Sequence, residues 1–143
     1  MTKEVFVNSE QPSERLSRKA IGIILIHAIV GWALCAAAMG ISMATTTIEN
    51  ALIIHAIAAP IIFTGVSLVY FNRFNYTTPL RTALIFVSFV ILMDFFVVSM
   101  LVLGNFDMFA SLLGTWIPFT LIFFSTYLTG LFTLKNRNFR RAV

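Results

Sequence analysis

Charge is what this sequence lacks most. Of its 143 residues only 11% are charged, while 59% are hydrophobic. An ordinary globular chain is about a quarter charged. A water-soluble fold of this length could not cover its surface with so few charges. A bilayer removes that requirement, because there the outside of a protein can be as apolar as its inside. Cysteine is nearly absent as well. Cys35 stands alone, which excludes an intramolecular disulfide and the paired thiols of membrane disulfide-exchange enzymes. Motifs for common chemistries are also missing: there is no phosphate-binding glycine loop, no nucleophile elbow, no metalloprotease helix and no pair of carboxylates for hydrolysis. The segments between apolar runs are too short to hold a soluble catalytic domain. A non-enzymatic role without a cofactor is therefore the expectation.

What is present is four apolar stretches, at 19–45, 49–72, 80–104 and 107–134. Each exceeds the roughly 20 residues that a helix needs to cross about 30 Å of hydrocarbon. A closed barrel would need many more segments, so helix is the expected form. The predicted architecture is an all-α, antiparallel up-down four-transmembrane-helix bundle, with a polar tail over 1–18 and a basic tail over 135–143. Capping residues mark the boundaries. Ser13 follows Pro12 before the first helix, Thr46 and Glu49 form a capping-box pattern before the second, and Thr78-Pro79 opens the third. Asn105 and Asp107 precede the fourth.

The net charge of +4 would suit a nucleic-acid binder if read alone, but its distribution points to lipid. The ten Lys and Arg are Lys3, Arg15, Arg18, Lys19, Arg73, Arg81, Lys135, Arg137, Arg140 and Arg141. They fall in the two tails and the 73–81 loop, where they meet headgroups. The other two loops carry only Glu49 and Asp107. The positive-inside rule then predicts that both termini and the 73–81 loop are cytoplasmic, in a plasma (inner) membrane. Ala36-Ala37-Ala38 offers a signal-peptidase site after a basic and apolar lead, but the run continues to Ala44, longer than a usual signal core. An uncleaved first helix is expected.

Three ionisable residues fall inside the apolar runs: His27, His55 and Asp94. An aspartate at mid-membrane costs at least about 2.5–3.5 kcal/mol to insert, so each such group needs a reason. Helix rise places His27 about 7–8 Å to the cytoplasmic side of the midplane, His55 about 9 Å to the outer side and Asp94 at the centre. Such a ladder suits proton or cation relay, since a neutral imidazole both donates and accepts. A single haem iron held by both histidines would need them at one level. The bland reading is that the three groups merely tie helices together through hydrogen bonds.

Other patterns are weaker. His27, Gly31, Cys35, Ala38 and Ser42 form a seam of small and polar residues on the first helix, with Ala36 and Gly40 as a second small pair. His55, Ala59, Ile62 and Val66 share a face of the second, and Ser111, Gly114, Pro118, Ser125 and Thr129 form a stripe on the fourth. Pro60 and Pro118 are expected to kink the second and fourth helices. Cys35, Met39 and Met43 repeat every four residues, Met93 and Met100 are expected to share a face of the third helix, and His55 is expected at outer depth on the second. Thiolate, thioether and imidazole would select copper(I), although methionine is also a routine gap-filler. The tetrapeptides Ile26-His27-Ala28-Ile29 and Ile54-His55-Ala56-Ile57 repeat in helices of opposite direction, an echo too short to establish an inverted repeat.

The leading functional expectation is transport or ion and proton handling through Asp94 with His55 and His27. Its rival is a non-catalytic accessory or scaffold subunit of a membrane complex; soft-metal or haem binding comes third. The expected partners are the lipid bilayer and either a second copy of the chain or a larger membrane complex, with no nucleic acid.

Overall fold

The computed structural model describes residues 17–142. Four helices long and apolar enough to cross a membrane account for nearly all of them. They are α1 (Arg18–Thr45), α2 (Ile48–Arg73), α3 (Pro79–Met93) and α4 (Ile117–Ala142). The third span continues past Met93 as a π-helical stretch, Asp94–Leu103, and the fourth begins with a π turn, Leu112–Trp116. A 3-10 turn at Asp107–Ala110 lies between them. The shortest span, Pro79–Leu103, has 25 residues, more than the roughly 20 that hydrocarbon requires. Among the described residues there is no strand.

Short polar side chains start each helix, though not always the expected ones. Ser17 caps α1 by accepting the Ala20 N–H at 3.2 Å; the Ser13 cap lies outside the described residues. Thr47, not Thr46, caps α2, taking the Asn50 N–H at 3.4 Å. Thr46 instead accepts from the Asn50 side chain at 3.2 Å. That shift puts Glu49 at the second helical position, where it faces the positive end of the helix dipole rather than closing a capping box. Thr78 caps α3 with Pro79 at its first position, as expected. The fourth span departs most. Asn105 accepts the Asp107 N–H at 3.2 Å in the turn that follows Gly104, which has ended the third span in the left-handed region (φ 67°). The working cap is Ser111, whose hydroxyl takes the Gly114 N–H at 3.0 Å. At its far end α4 runs on to Ala142, so Lys135, Arg137 and Arg140 are presented on helical turns.

α1 packs on α2 and α3, and α4 packs on the same two. The buried core joins Ile24, Ala28 and Cys35 of α1 to Phe63, Tyr70 and Phe71 of α2, with Phe86, Val90, Phe119 and Ile122 completing it. The seam read on α1 is the packed face: Gly31, Cys35 and Ser42 are buried, while Ala36 and Gly40 are exposed. Gly31 is there for a steric reason. A Cβ at that position would lie 2.8 Å from Cζ of the fully buried Phe63. The outward faces are apolar throughout, with Ile26, Ile41, Ile57, Ile61 and Leu101 all more than half exposed. In water such a surface would drive aggregation, whereas acyl chains solvate it.

Where α2 turns into α3, a dry chain of hydroxyls fastens the corner. Tyr70, Thr77 and Thr82 are buried; Tyr70 Oη lies 2.9 Å from Thr77 Oγ1, which lies 2.7 Å from Thr82 Oγ1. Thr82 donates its only hydroxyl proton to the Thr78 carbonyl at 3.1 Å. The direction of the rest follows, because each hydroxyl has one proton: Tyr70 donates to Thr77 and Thr77 to Thr82. Thr82→Val leaves the Thr77 proton without an acceptor and is expected to cost about 1–3 kcal/mol. Tyr70→Phe removes only the first donor and should cost about 1 kcal/mol. Loss of helicity under denaturant in detergent micelles checks both, and equal effects would contradict the assigned direction.

Candidate functional site

Asp94 sits at the junction where α3 changes winding. Its backbone N–H is shared between the Ile91 and the Val90 carbonyls, three and four residues back, just before the winding widens. From there the chain closes i→i+5 bonds, so residues four and five apart share a face in place of three and four. Ser99, five residues beyond Asp94, is accordingly fully buried. Met100, expected to share a face with Met93, is 52% exposed on the outside. Phe95 and Phe96 also point outward, and the Phe95 ring meets Phe106 at 5.0 Å and Phe109 at 6.1 Å.

The Asp94 carboxyl turns inward and finds a partner on another helix. Trp32 of α1 donates its indole N–H to Asp94 Oδ1 at 2.9 Å. Indole has a donor and no acceptor, so this bond forms whether or not the carboxyl carries a proton. Cys35, buried one turn further along α1, lies within electrostatic reach of Asp94. The His55 ring of α2 faces the Cys35 backbone, and its Nδ1 is buried with no hydrogen-bond partner. One turn of α1, Trp32–Cys35, therefore has a carboxyl from α3 beside it and an imidazole from α2 beside it. No family model matches the chain, and no curated protein or solved structure does either. The site is thus read from its own chemistry.

His27 stands apart from this group. Its Nδ1 donates to the Ile23 carbonyl one turn back at 2.8 Å, which leaves Nε2 as the acceptor in the neutral ring. Tyr70 and Phe74 meet it edge-on at 5.6 and 5.4 Å. Eight residues separate it from Cys35, about 12 Å of helix rise. The identical tetrapeptides around the two histidines therefore give different environments, one tied to its own helix and one with a free ring nitrogen. A single haem iron between them would find no common level.

The sulfur stripe is divided in the same way. Cys35 is buried near His55, but Met43 and Met100 are 50% and 52% exposed. Among the described residues no three His, Cys, Asp or Glu side chains converge on a point that a metal could occupy. The prolines differ from each other too. Pro60 lies inside α2, where Thr64 donates to its carbonyl at 2.7 Å. Pro118 lies six residues into the continuous fourth span, directly after its π turn. There its missing N–H removes one bond to the preceding turn, as a proline inside a helix does.

Trp32, the hydrogen-bond partner of Asp94, is not among the residues that sequence pattern alone singles out. The signal was available: it lies at the centre of the first apolar run, as Asp94 lies at the centre of the third. A carboxyl at that depth needs a donor, and tryptophan is the natural apolar residue that supplies one.

Proposed function

We propose that the chain is a multi-pass plasma-membrane protein that moves protons or small cations, with Asp94 as the group that binds and releases them. In this reading the helices form an antiparallel up-down bundle with both termini cytoplasmic. The cross-helix contacts support that arrangement: His27 near the start of α1 meets Tyr70 near the end of α2, and Arg137 reaches the Phe71 carbonyl. Among the described residues the basic side chains thereby gather at one end and Glu49 and Asp107 at the other, the distribution that the positive-inside rule associates with a cytoplasmic basic end.

The observation that carries the reading is the combination of Asp94 on the indole donor of Trp32 with His55 against the Cys35 backbone one turn along α1, its Nδ1 buried without a well-formed hydrogen bond. A buried carboxyl whose only job was to tie α1 to α3 would need no second titratable group across that turn. A buried ring nitrogen without a partner is costly to keep, and an imidazole that accepts and returns a proton gives it a use. His27 is assigned to architecture.

The test needs no knowledge of a natural substrate. Protein reconstituted in liposomes with an internal pH dye is given an inward-negative potential with potassium and valinomycin. Wild-type vesicles should acidify several-fold faster than empty ones, and Asp94→Asn should return the rate to that of empty vesicles. Wild-type protein that conducts no faster than empty vesicles, or an Asp94→Asn protein that conducts like wild type, overturns the proposal. The first outcome leaves an accessory-subunit role as the better account.

A further inference from the structure

At the opposite pole from Glu49 and Asp107, the ends of α2 and α4 enclose a cavity of about 190 Å³ lined by Leu68, Asn72, Thr133, Asn136, Arg137 and Arg140. The lining is ordered along the helices. Positions 133, 136, 137 and 140 follow the i, i+3, i+4, i+7 spacing of a single helix face, and Leu68 and Asn72 are one turn apart on the other. Leu68 is 42% exposed, and Leu131 and Phe132, exposed as well, directly precede Thr133 on α4. Above Leu68 come amides and a hydroxyl, then two guanidinium groups.

Arg137 is already fixed in position. Its Nη1 donates to the Phe71 carbonyl at 3.1 Å, one of the five N–H donors that a guanidinium has. The remaining donors keep a set orientation, so little side-chain entropy is left to lose when an anion arrives. No acid among the described residues lies beside them. Among the described residues the carboxylates are Glu49, Asp94 and Asp107, at the far end or the middle of their spans. Two arginines with three uncharged polar side chains form a donor set for phosphate, which guanidinium binds in bidentate fashion. The apolar rim beneath distinguishes a lipid phosphate from a free one.

We propose that this cavity is a binding site for the phosphate headgroup of an anionic glycerophospholipid, with its acyl chains descending past Leu68 and Phe132. The inference rests on the membrane-spanning reading but not on proton movement, so the two fail separately. Basic pockets between membrane helices on the cytoplasmic side are where anionic headgroups bind.

Native mass spectrometry of the delipidated protein tests it, with phosphatidylglycerol, phosphatidylcholine or inorganic phosphate added. The expected result is one tightly held phosphatidylglycerol per chain, with weaker phosphatidylcholine binding. Arg140→Gln should weaken the phosphatidylglycerol complex about fivefold and Arg137→Gln/Arg140→Gln about twenty-fivefold, following the contribution of one basic residue at an anionic surface. Because Arg137 also holds the Phe71 carbonyl, the single Arg140 variant keeps the test decisive if the double variant folds poorly. Arg18→Gln/Lys19→Gln removes two charges from α1 and should leave the complex unchanged. Equal loss in that control would assign the effect to general surface charge and overturn the site. Inorganic phosphate that displaces the lipid at millimolar concentration, or equal affinity for both lipids, would overturn the lipid assignment.

Discussion

Vesicles carrying Asp94→Asn are expected to acidify at the rate of empty vesicles while the protein keeps its helicity and its elution volume. Asparagine retains the oxygen that accepts from Trp32 at 2.9 Å, so the link between α1 and α3 survives. What it loses is the ability to take up and release a proton. Asp94→Leu would not separate these roles, because it removes the acceptor and leaves the indole N–H dry, at a cost of about 1–3 kcal/mol. His55→Gln should slow acidification without abolishing it, since water or another group can substitute for an intermediate carrier more readily than for the central one. His27→Gln should leave the flux near wild type, its ring being engaged with Ile23 and the aromatic pair Tyr70 and Phe74. A His27 variant as inactive as the Asp94 variant would contradict its assignment to architecture.

Gly130→Val should be the most damaging packing substitution in the chain. A Cβ at Gly130 would lie 2.7 Å from both Phe71 Cζ and Pro79 Cβ, with Phe71 Cε2 at 2.8 Å. Neither neighbour can yield easily: Phe71 is fully buried beside Tyr70, and Pro79 is a rigid ring at the first position of α3. Overpacking a filled core typically costs about 1–3 kcal/mol, occasionally more; a branched side chain at this three-helix contact belongs at the upper end. Gly40→Val is the matched control. It changes the same residue type inside a helix, but nothing lies within 4 Å of a Cβ there, so its effect should stay within about 0.5 kcal/mol. Denaturant titration of helicity in one detergent gives both values. A Gly130 variant as stable as the Gly40 variant would mean that α4 can slide off α2 and α3 without loss.

The four spans were readable because span length is set by membrane thickness and needs no tertiary knowledge. Thr78-Pro79 was readable because cap and proline act within one turn. The start of the fourth span was not. Asn105 and Asp107 have the right residue types, but the cap is decided by where the chain can turn back onto α2. Ser111 wins once Thr115 and Trp116 have bonded the Met108 and Phe109 carbonyls at 2.6 and 3.0 Å. The outer half of the third span misled for another reason. Assigning Met93 and Met100 to one face assumes α spacing, and no residue type announces the π winding that begins at Asp94. The seam on α1 was legible from small residues alone, whereas the Trp32–Asp94 bond required two helices to be aligned first. The separation of the two histidines followed from helix rise, but the placement of His55 beside Cys35 depended on how α1 and α2 settle against each other.

The bond from Trp32 to Asp94 also makes the protein its own optical instrument. The chain has two tryptophans. Trp116 donates to the Phe109 backbone carbonyl at 3.0 Å, a group that never changes charge, so its emission forms a constant background. The indole of Trp32 lies 2.9 Å from a carboxyl oxygen, and a charge appearing or disappearing at that distance shifts the energy of its excited state. On the proposed reading, a proton that reaches or leaves Asp94 should shift the colour of Trp32 fluorescence, without a label and inside an intact bilayer.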